Sequence, residues 1–399
     1  MKKLLVSLLI LVMVASLFTG CGGEETTADN ESEDTNAAST DTSKDVTSDS
    51  TDKEAEPEPE AEPEAEPVTI KVTSGLWSKP EEQQYVREEL LTAFEEETGI
   101  TVELEVLAGN DILDLLASYK ETGDWASDVL ITHSGDMAKY ISNGYAQPID
   151  DLAGSMTILP AFNDSTMQDG STYYIPISAD VYLVVANNKA LNYLPDGAAI
   201  DSLTWEQYVE WAIAIAEGEG TARTAMPALN VKSMCYQVGG MVLSYGADFA
   251  EIDSDPMKEV WGLVGEMIAK GAIVEDSFQY GDPVDLMKAG TAWLSFYHMG
   301  PVGQIFSAAP AEFSIGPAPA GPVGNGSIAG AWGIGISAGT EKADAAQKFI
   351  AFMTEPENLY KMTQGIGGTI PPVQEVVDVL GSEPADEVVK MGLLTLEAG

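Results

Sequence analysis

The sequence predicts an α/β fold built as two lobes, and three observations carry that expectation. Apolar periodicity switches repeatedly between the two-residue rhythm of strands and the 3.6-residue rhythm of helices from Val68 onward. A complete strand, helix and strand fit between Val68 and Val106, which is the βαβ unit of a parallel sheet with a right-handed crossover. The chain has 399 residues, more than a single hydrophobic core usually organises, so two lobes are expected.

Taken in order, Val68-Thr-Ile-Lys-Val-Thr-Ser74 alternates β-branched and polar residues as a half-buried strand does. Glu81 to Glu97 places Val86, Leu90 and Phe94 on one helical face, and Thr98-Gly99 stops it. Ile100, Val102, Leu104 and Val106 form the next strand. A helix over Ile112 to Tyr119, a strand over Val129 to Thr132 and a helix over Met137 to Asn143 continue the alternation. Trp205, Trp211 and Trp261 fall in helical contexts and are expected in the core.

The first 67 residues are of another kind. Lys2 and Lys3 precede an uncharged apolar stretch from Leu4 to Phe18, too short for a stable transmembrane span and suited to a secretory signal over residues 1–20. The run Leu17-Phe18-Thr19-Gly20-Cys21 resembles the lipobox of bacterial lipoproteins, with Phe18 where Leu is usual. That resemblance implies that Cys21 becomes an acylated N-terminus, anchored by lipid to the outer face of the cell membrane. Residues 22–67 are Ser, Thr, Asp and Glu ending in Glu/Pro repeats. They cannot bury enough surface to offset chain entropy and are expected to form an acidic tether reaching ~140 Å when extended as polyproline II.

The whole chain carries 64 acidic against 19 basic side chains, a formal charge of −45. Nucleic acid and anionic lipid surfaces are poor partners for such a field. Only two arginines occur, Arg87 and Arg223, so bidentate clamping of a phosphate or dicarboxylate is disfavoured relative to a neutral or cationic ligand. Two histidines, one cysteine left after lipidation and no Asp-x-Asp-x-Asp-Gly loop argue against a resident metal, and no cofactor is expected. Gly335-Ile-Ser337-Ala-Gly339 is a G-x-S-x-G between a strand (Trp332 to Ile336) and a helix (Ala343 to Met353), where a nucleophile elbow would sit. The histidine which that chemistry needs downstream is missing, because His133 and His298 both precede the serine. Ser337 and Thr340 are therefore read as turn and N-cap residues. Glycosidase chemistry needs only two facing carboxylates, and spacing alone leaves it open.

A series of landmarks along the chain resembles the extracellular solute-binding proteins of ABC importers, with the maltose-binding group the nearest in kind. The series includes Phe94-Glu-Glu-Glu-Thr-Gly-Ile100, Thr122-Gly-Asp-Trp-Ala-Ser-Asp128, Asn143-Gly-Tyr-Ala-Gln-Pro-Ile149, Thr204-Trp205-Glu206-Gln207-Tyr208, Ala289-Gly-Thr-Ala292, Met299-Gly-Pro301, Ile315-Gly-Pro-Ala-Pro319 and Ala345-Ala-Gln-Lys-Phe-Ile-Ala-Phe352. The resemblance implies a two-lobed periplasmic-binding-protein-like fold with a ligand cleft between the lobes and two interlobe crossings, near Ser178 to Leu183 and near Phe313 to Pro319. Lobe 1 would be 68–180 with 317–365, and lobe 2 would be 181–316 with 366–399. Members usually continue past Leu394 to Gly399 with further helix, so a missing C-terminal segment is an expectation of the same resemblance.

Sugar recognition needs flat apolar faces for pyranose rings and carboxylates or amides for hydroxyls. Trp77 follows the first strand, where open α/β sheets bind ligands. By resemblance, the loop Thr132-His133-Ser134-Gly135-Asp136 supplies His133 and Asp136, the first crossing supplies Asp180 and Tyr182, and Phe296-Tyr297-His298-Met299-Gly-Pro301 supplies Tyr297 and His298. Tyr236 in the second lobe and Trp332 near the second crossing complete the set. The expected protein is a monomeric receptor that closes by a hinge on a carbohydrate and delivers it to an ABC permease, making and breaking no bond. A polyamine or peptide receptor and, less favoured, a surface glycosidase are the alternatives.

Overall fold

A computed structural model describes residues 67–397 apart from positions 155, 164, 165, 249, 250 and 252. Cys21, the signal and almost all of the tether lie outside the described residues.

The first lobe is a six-stranded sheet in which β1 (Thr69–Ser74) lies between β2 (Thr101–Val106) and β3 (Val129–His133), all parallel. The helix that links β1 to β2 runs without a break through Pro80–Tyr85, Val86–Leu91 and Thr92–Thr98, its middle a π-helical stretch, and is called α1. Gly99 ends it at φ 69°, as the expected stop requires. Helix α2 (Gly109–Thr122) and helix α3 (Ser134–Ser142) follow β2 and β3, each a turn or so longer at its start than periodicity indicates. Strand β4 (Ala146–Gln147) and strand β5 (Ile175–Asp180) complete the N-terminal contribution.

One residue, Val181, separates β5 from β6 (Tyr182–Asn187), the first strand of the second lobe. The expected crossing at Ser178 to Leu183 is found there. The second lobe has a four-stranded sheet of β6, β7 (Thr224–Ala225), β8 (Leu294–His298) and β9 (Phe313–Gly316), in the order β9-β6-β8-β7. Helices α4 (Trp205–Glu219), α5 (Val231–Ser244), α6 (Asp255–Ala269) and α7 (Met299–Ala308) surround it.

The return crossing lies later in the chain than expected. Phe313–Gly316 still pairs with β6, and the hairpin Ala320–Gly321 with Gly324–Asn325 bridges to Thr204 and packs on α5. Gly326 leaves its carbon no room for a side chain, since a Cβ there would lie 2.1 Å from the Gly240 carbonyl. The chain therefore rejoins the first lobe only at β10 (Gly330–Ser337), which pairs antiparallel with β3, β4 and β5 and so forms the centre of the first sheet. Helix α8 (Ala343–Thr354) and helix α9 (Pro356–Gly365) pack on that lobe, and a third passage leads to α10 (Pro384–Glu397), which packs against α7. The fully buried Asp386 secures this passage by accepting from Tyr360 (3.3 Å), Gln364 (2.6 Å) and the Gly381 amide (2.9 Å).

Each lobe has its own core. Phe94 meets Phe349 and Phe352 edge-on at 5.1 and 5.4 Å in the first, and Trp205, Trp211 and Phe296 are central to the second. Trp211 donates its indole N–H to the Ala190 carbonyl at 2.8 Å. The expectation for Trp261 is corrected: it is 47% exposed, because the apolar face of α6 is made by Met257, Val260, Val264 and Met267. No helix among the described residues is long and apolar enough to cross a membrane.

Candidate functional site

The register of three strand pairs places the cleft residues opposite one another. Trp332 pairs with His133, Gly330 with Asp180 and His298 with Tyr182. All six therefore lie where strand ends meet the crossings. They line a cleft of about 450 Å³ between the lobes, together with Trp77, Tyr236 and Tyr297.

The two histidines, the only ones in the chain, occupy equivalent positions in the two lobes. Each is the last residue of a strand and the N-cap of the next helix, and each is followed two residues later by glycine. His133 Nδ1 accepts from the Gly135 amide at 3.1 Å, and His298 Nδ1 accepts from the Gly300 amide at 3.2 Å. An Nδ1 that accepts must be unprotonated, so in the neutral ring Nε2 carries the hydrogen and is a donor. His298 Nε2 is 3.6 Å from Asp180 Oδ2. Burial, and next the Lys232 ammonium, hold the His133 imidazole below its ordinary value.

Asp180 is the last residue before Val181. Its side chain is 13% exposed and its Oδ1 has no hydrogen-bond partner, an acceptor out of water with nothing to accept from. Tyr182 makes edge contacts with Tyr236, Tyr297 and His298 at 5.7 to 6.4 Å, and burial raises its phenol well above the usual value. Tyr297 donates to the Gly281 carbonyl and lies 3.2 Å from the Ser233 hydroxyl. Trp332 contacts His133 edge-on at 5.2 Å, and a Cβ on Gly75 would lie 2.9 Å from its ring.

Trp77 differs from what its position in the sequence suggests. It is 1% exposed, part of the first-lobe core, and held at φ 64°, a conformation a bulky residue rarely adopts. Its Nε1–H has no partner. Asp136 is not among the cleft residues. It sits in the first turn of α3, with Oδ2 3.4 Å from where a Cβ on Gly109 would be, so it faces the start of α2.

The cleft also holds residues that sequence reasoning passed over: Lys79, Glu82, Asn230, Lys232 and Asp282. Lys79 pairs with Glu82 at 3.4 Å, and Asp282 caps the Val284 amide at 2.9 Å. The Asn230 cap of α5 was legible in principle, since Asn immediately ahead of a helix is a preferred N-cap, and the side chain does accept from the Ser233 amide at 2.8 Å.

The G-x-S-x-G segment is a packing motif. A Cβ on Gly335 would meet the Tyr173 carbonyl at 2.5 Å, and one on Gly339 the Trp125 ring at 2.0 Å. Ser337 ends β10 fully buried, with Oγ unpartnered, and is neither a cap nor an accessible nucleophile. Thr340 stands two residues ahead of the Lys342 cap, accepting from its amide at 2.9 Å and donating to Asp128 at 2.5 Å. Ser337→Ala should leave ligand affinity unchanged and hold or raise stability by about 1 kcal/mol, because it removes a buried hydroxyl without a partner. A fall in the urea midpoint beyond error would contradict this. Among the described residues, no group of three or more His, Cys, Asp or Glu is arranged to hold a metal ion.

Residues 89–391 match the family model for bacterial extracellular solute-binding proteins. Among solved structures, the fold is similar to maltose-bound MalE3 of T. maritima, with 20% identity, a TM-score of 0.71, and 83% of this chain and 88% of that one covered. The GacH receptor of Streptomyces glaucescens GLA.O, solved unliganded and with acarbose, matches with 20% identity, a TM-score of 0.67, and 83% and 87% coverage. The spermidine/putrescine-binding protein PotD of Streptococcus pneumoniae matches with 18% identity, a TM-score of 0.60, and 83% and 91% coverage. At these identities the likeness is one of fold. No curated protein matches the sequence.

Proposed function

The chain belongs to the bacterial extracellular solute-binding proteins, and from that premise we propose that it is a lipid-anchored receptor that captures a carbohydrate and delivers it to an ABC permease. The observation that carries the sugar reading is the composition of the cleft. Trp332 and Tyr236 offer apolar faces, and the free Asp180 Oδ1 with the Nε2–H groups of His133 and His298 offers the acceptor and donors that hydroxyls need. A volume of about 450 Å³ lies in the range of small-ligand sites. The solved neighbours with maltose and acarbose favour the same class.

Hinge closure about Val181 and the segment before β10 brings the two walls together, as domain closure does around other ligands. Cys21 acylation holds the receptor at the membrane. The protein works as a monomer, and the ligand leaves chemically intact.

A polyamine is the second reading, favoured by the PotD-like fold and by the acidity of the chain. Lys232 in the cleft opposes it, because an oligocation would meet an ammonium group that no carboxylate among the described residues neutralises, Lys79 being paired with Glu82. A thermal-shift and calorimetry panel of mono- and disaccharides against spermidine separates the two. A bound sugar at 100 times its Kd stabilises the fold by about 2.7 kcal/mol, and stabilisation by spermidine with none by any sugar would reject the carbohydrate reading.

A further inference from the structure

The three passages between the lobes meet side by side. On one edge β5 pairs with the start of β10, Asp180 opposite Gly330 and Ala179 opposite Ala331. On its other edge it meets the third passage, where Ala179 and Ile370 exchange both backbone hydrogen bonds at 2.9 and 2.8 Å. Residues directly opposite in such pairs share a face, and successive residues alternate between faces. Ala179, Ala331 and Ile370 accordingly point one way, into a single hydrophobic cluster with Val181, Leu183 and Met299. Gly330, Asp180 and Thr369, each one step along, form a row on the opposite face, and all three line the cleft.

Two members of the row carry buried polar atoms without a partner, Asp180 Oδ1 and Thr369 Oγ1, and Thr369 is only 6% exposed. Opposite residues of this kind hold their Cβ atoms about 4.5–5.5 Å apart, so both atoms are within reach of one small group. A carboxylate oxygen accepts, whereas a threonine hydroxyl donates or accepts. One hydroxyl can satisfy both at once, by donating to the first and accepting from the second. The third member leaves room for it. A Cβ on Gly330 would lie 2.6 Å from His133 Nε2, and that imidazole is held in place by the bond from the Gly135 amide to its Nδ1.

Resting on the carbohydrate reading above, we infer that Thr369, on the third passage, binds ligand by sharing one sugar hydroxyl with Asp180. The hydroxyl donates to Asp180 Oδ1 and accepts from the Thr369 hydroxyl, in the space that Gly330 leaves open. A single ligand group then ties the first crossing to the third, so its fit is felt where the lobes hinge. The row selects a sugar with a free hydroxyl at the ring position seated there, because a deoxy counterpart would leave buried polar atoms unpaired.

The test is calorimetry with glucose, galactose, mannose, maltose and cellobiose on wild type, Thr369→Val, Thr369→Ala, Thr369→Ser, Asp180→Asn and the double variant Asp180→Asn with Thr369→Val. Melts without sugar verify each fold, and Thr369→Val should melt no lower than wild type, having lost only a buried hydroxyl without a partner. Sugars of the set that bind wild type should bind Thr369→Val and Thr369→Ala roughly three- to tenfold more weakly, and Thr369→Ser within about twofold of wild type. In the double variant the loss should be smaller than the product of the two single losses, because both substitutions act on one hydroxyl. Losses that multiply would overturn the inference. So would sugar affinity unchanged in Thr369→Val and Thr369→Ala, which leaves the carbohydrate reading standing. If unchanged affinity came with a lower melting point, Thr369 and Asp180 would be serving each other and not the sugar. Binding of none of these sugars to wild type would sink both readings.

Discussion

Phe94→Ala should destabilise the protein by about 3–5 kcal/mol, the cost of removing a fully buried aromatic side chain from a core that cannot collapse around the gap. The ring is 0% exposed and has Phe349 and Phe352 edge-on against it, so the loss includes two aromatic pairs as well as the apolar surface. Those partners lie on α8, far along the chain, so Phe94 fastens α1 to the C-terminal part of the first lobe. Against a total stability of about 5–15 kcal/mol, such a loss removes a large share. Urea unfolding followed by far-UV circular dichroism measures it, with Trp261→Ala as the contrast. That exposed tryptophan should cost no more than about 0.5 kcal/mol. Equal effects for the two would mean that the first-lobe core is wrongly described.

Asp180→Asn should have opposite effects on stability and on binding. The carboxylate is largely buried, its Oδ1 has no partner, and its Oδ2 lies 3.6 Å from an imidazole that is neutral while its Nδ1 caps a helix. Replacing an under-satisfied buried charge with an amide should leave the fold as stable or stabilise it by about 1 kcal/mol. Sugar affinity should fall by roughly 1.5–3 kcal/mol, about ten- to 150-fold, because a charged acceptor for ligand hydroxyls is lost. Calorimetry and thermal melts on the same preparation decide the matter. Weaker binding accompanied by a lower melting temperature would assign Asp180 to the hinge structure instead of to the ligand.

The sequence carried the parts of this architecture that depend on local periodicity. The β1-α1-β2 unit and the Gly99 stop follow from patterns within a few residues of one another, whereas the change of lobe at Val181 is implied by the family resemblance alone. What it did not carry depends on pairing at long range. Nothing local says that Trp332 will face His133, or that the hairpin after Phe313–Gly316 will stay with the second lobe through close approach to Gly240. Asp136 was legible only as part of a loop, and helix geometry then turned it toward α2. Lys79 and Lys232 were overlooked for another reason: in so acidic a chain, single lysines read as solvated surface, and only the convergence of helix N-termini on one cleft gives them a setting.

The central place of β10 has a consequence for how the molecule comes into being. It fills the gap among β3, β4 and β5, yet β3 ends at His133 and β10 begins only at Gly330. A growing chain therefore has β3 with one bare edge through about half of its synthesis, and the first sheet cannot be completed until nearly all of the second lobe has been made. Pairings so distant in sequence are slow to form. The delay is a hazard for a chain released into a crowded compartment, because an unpaired edge invites other strands. Were the chain exported unfolded, as a secretory signal over residues 1–20 would have it, the same delay would be an interval in which it is still pliable enough to pass.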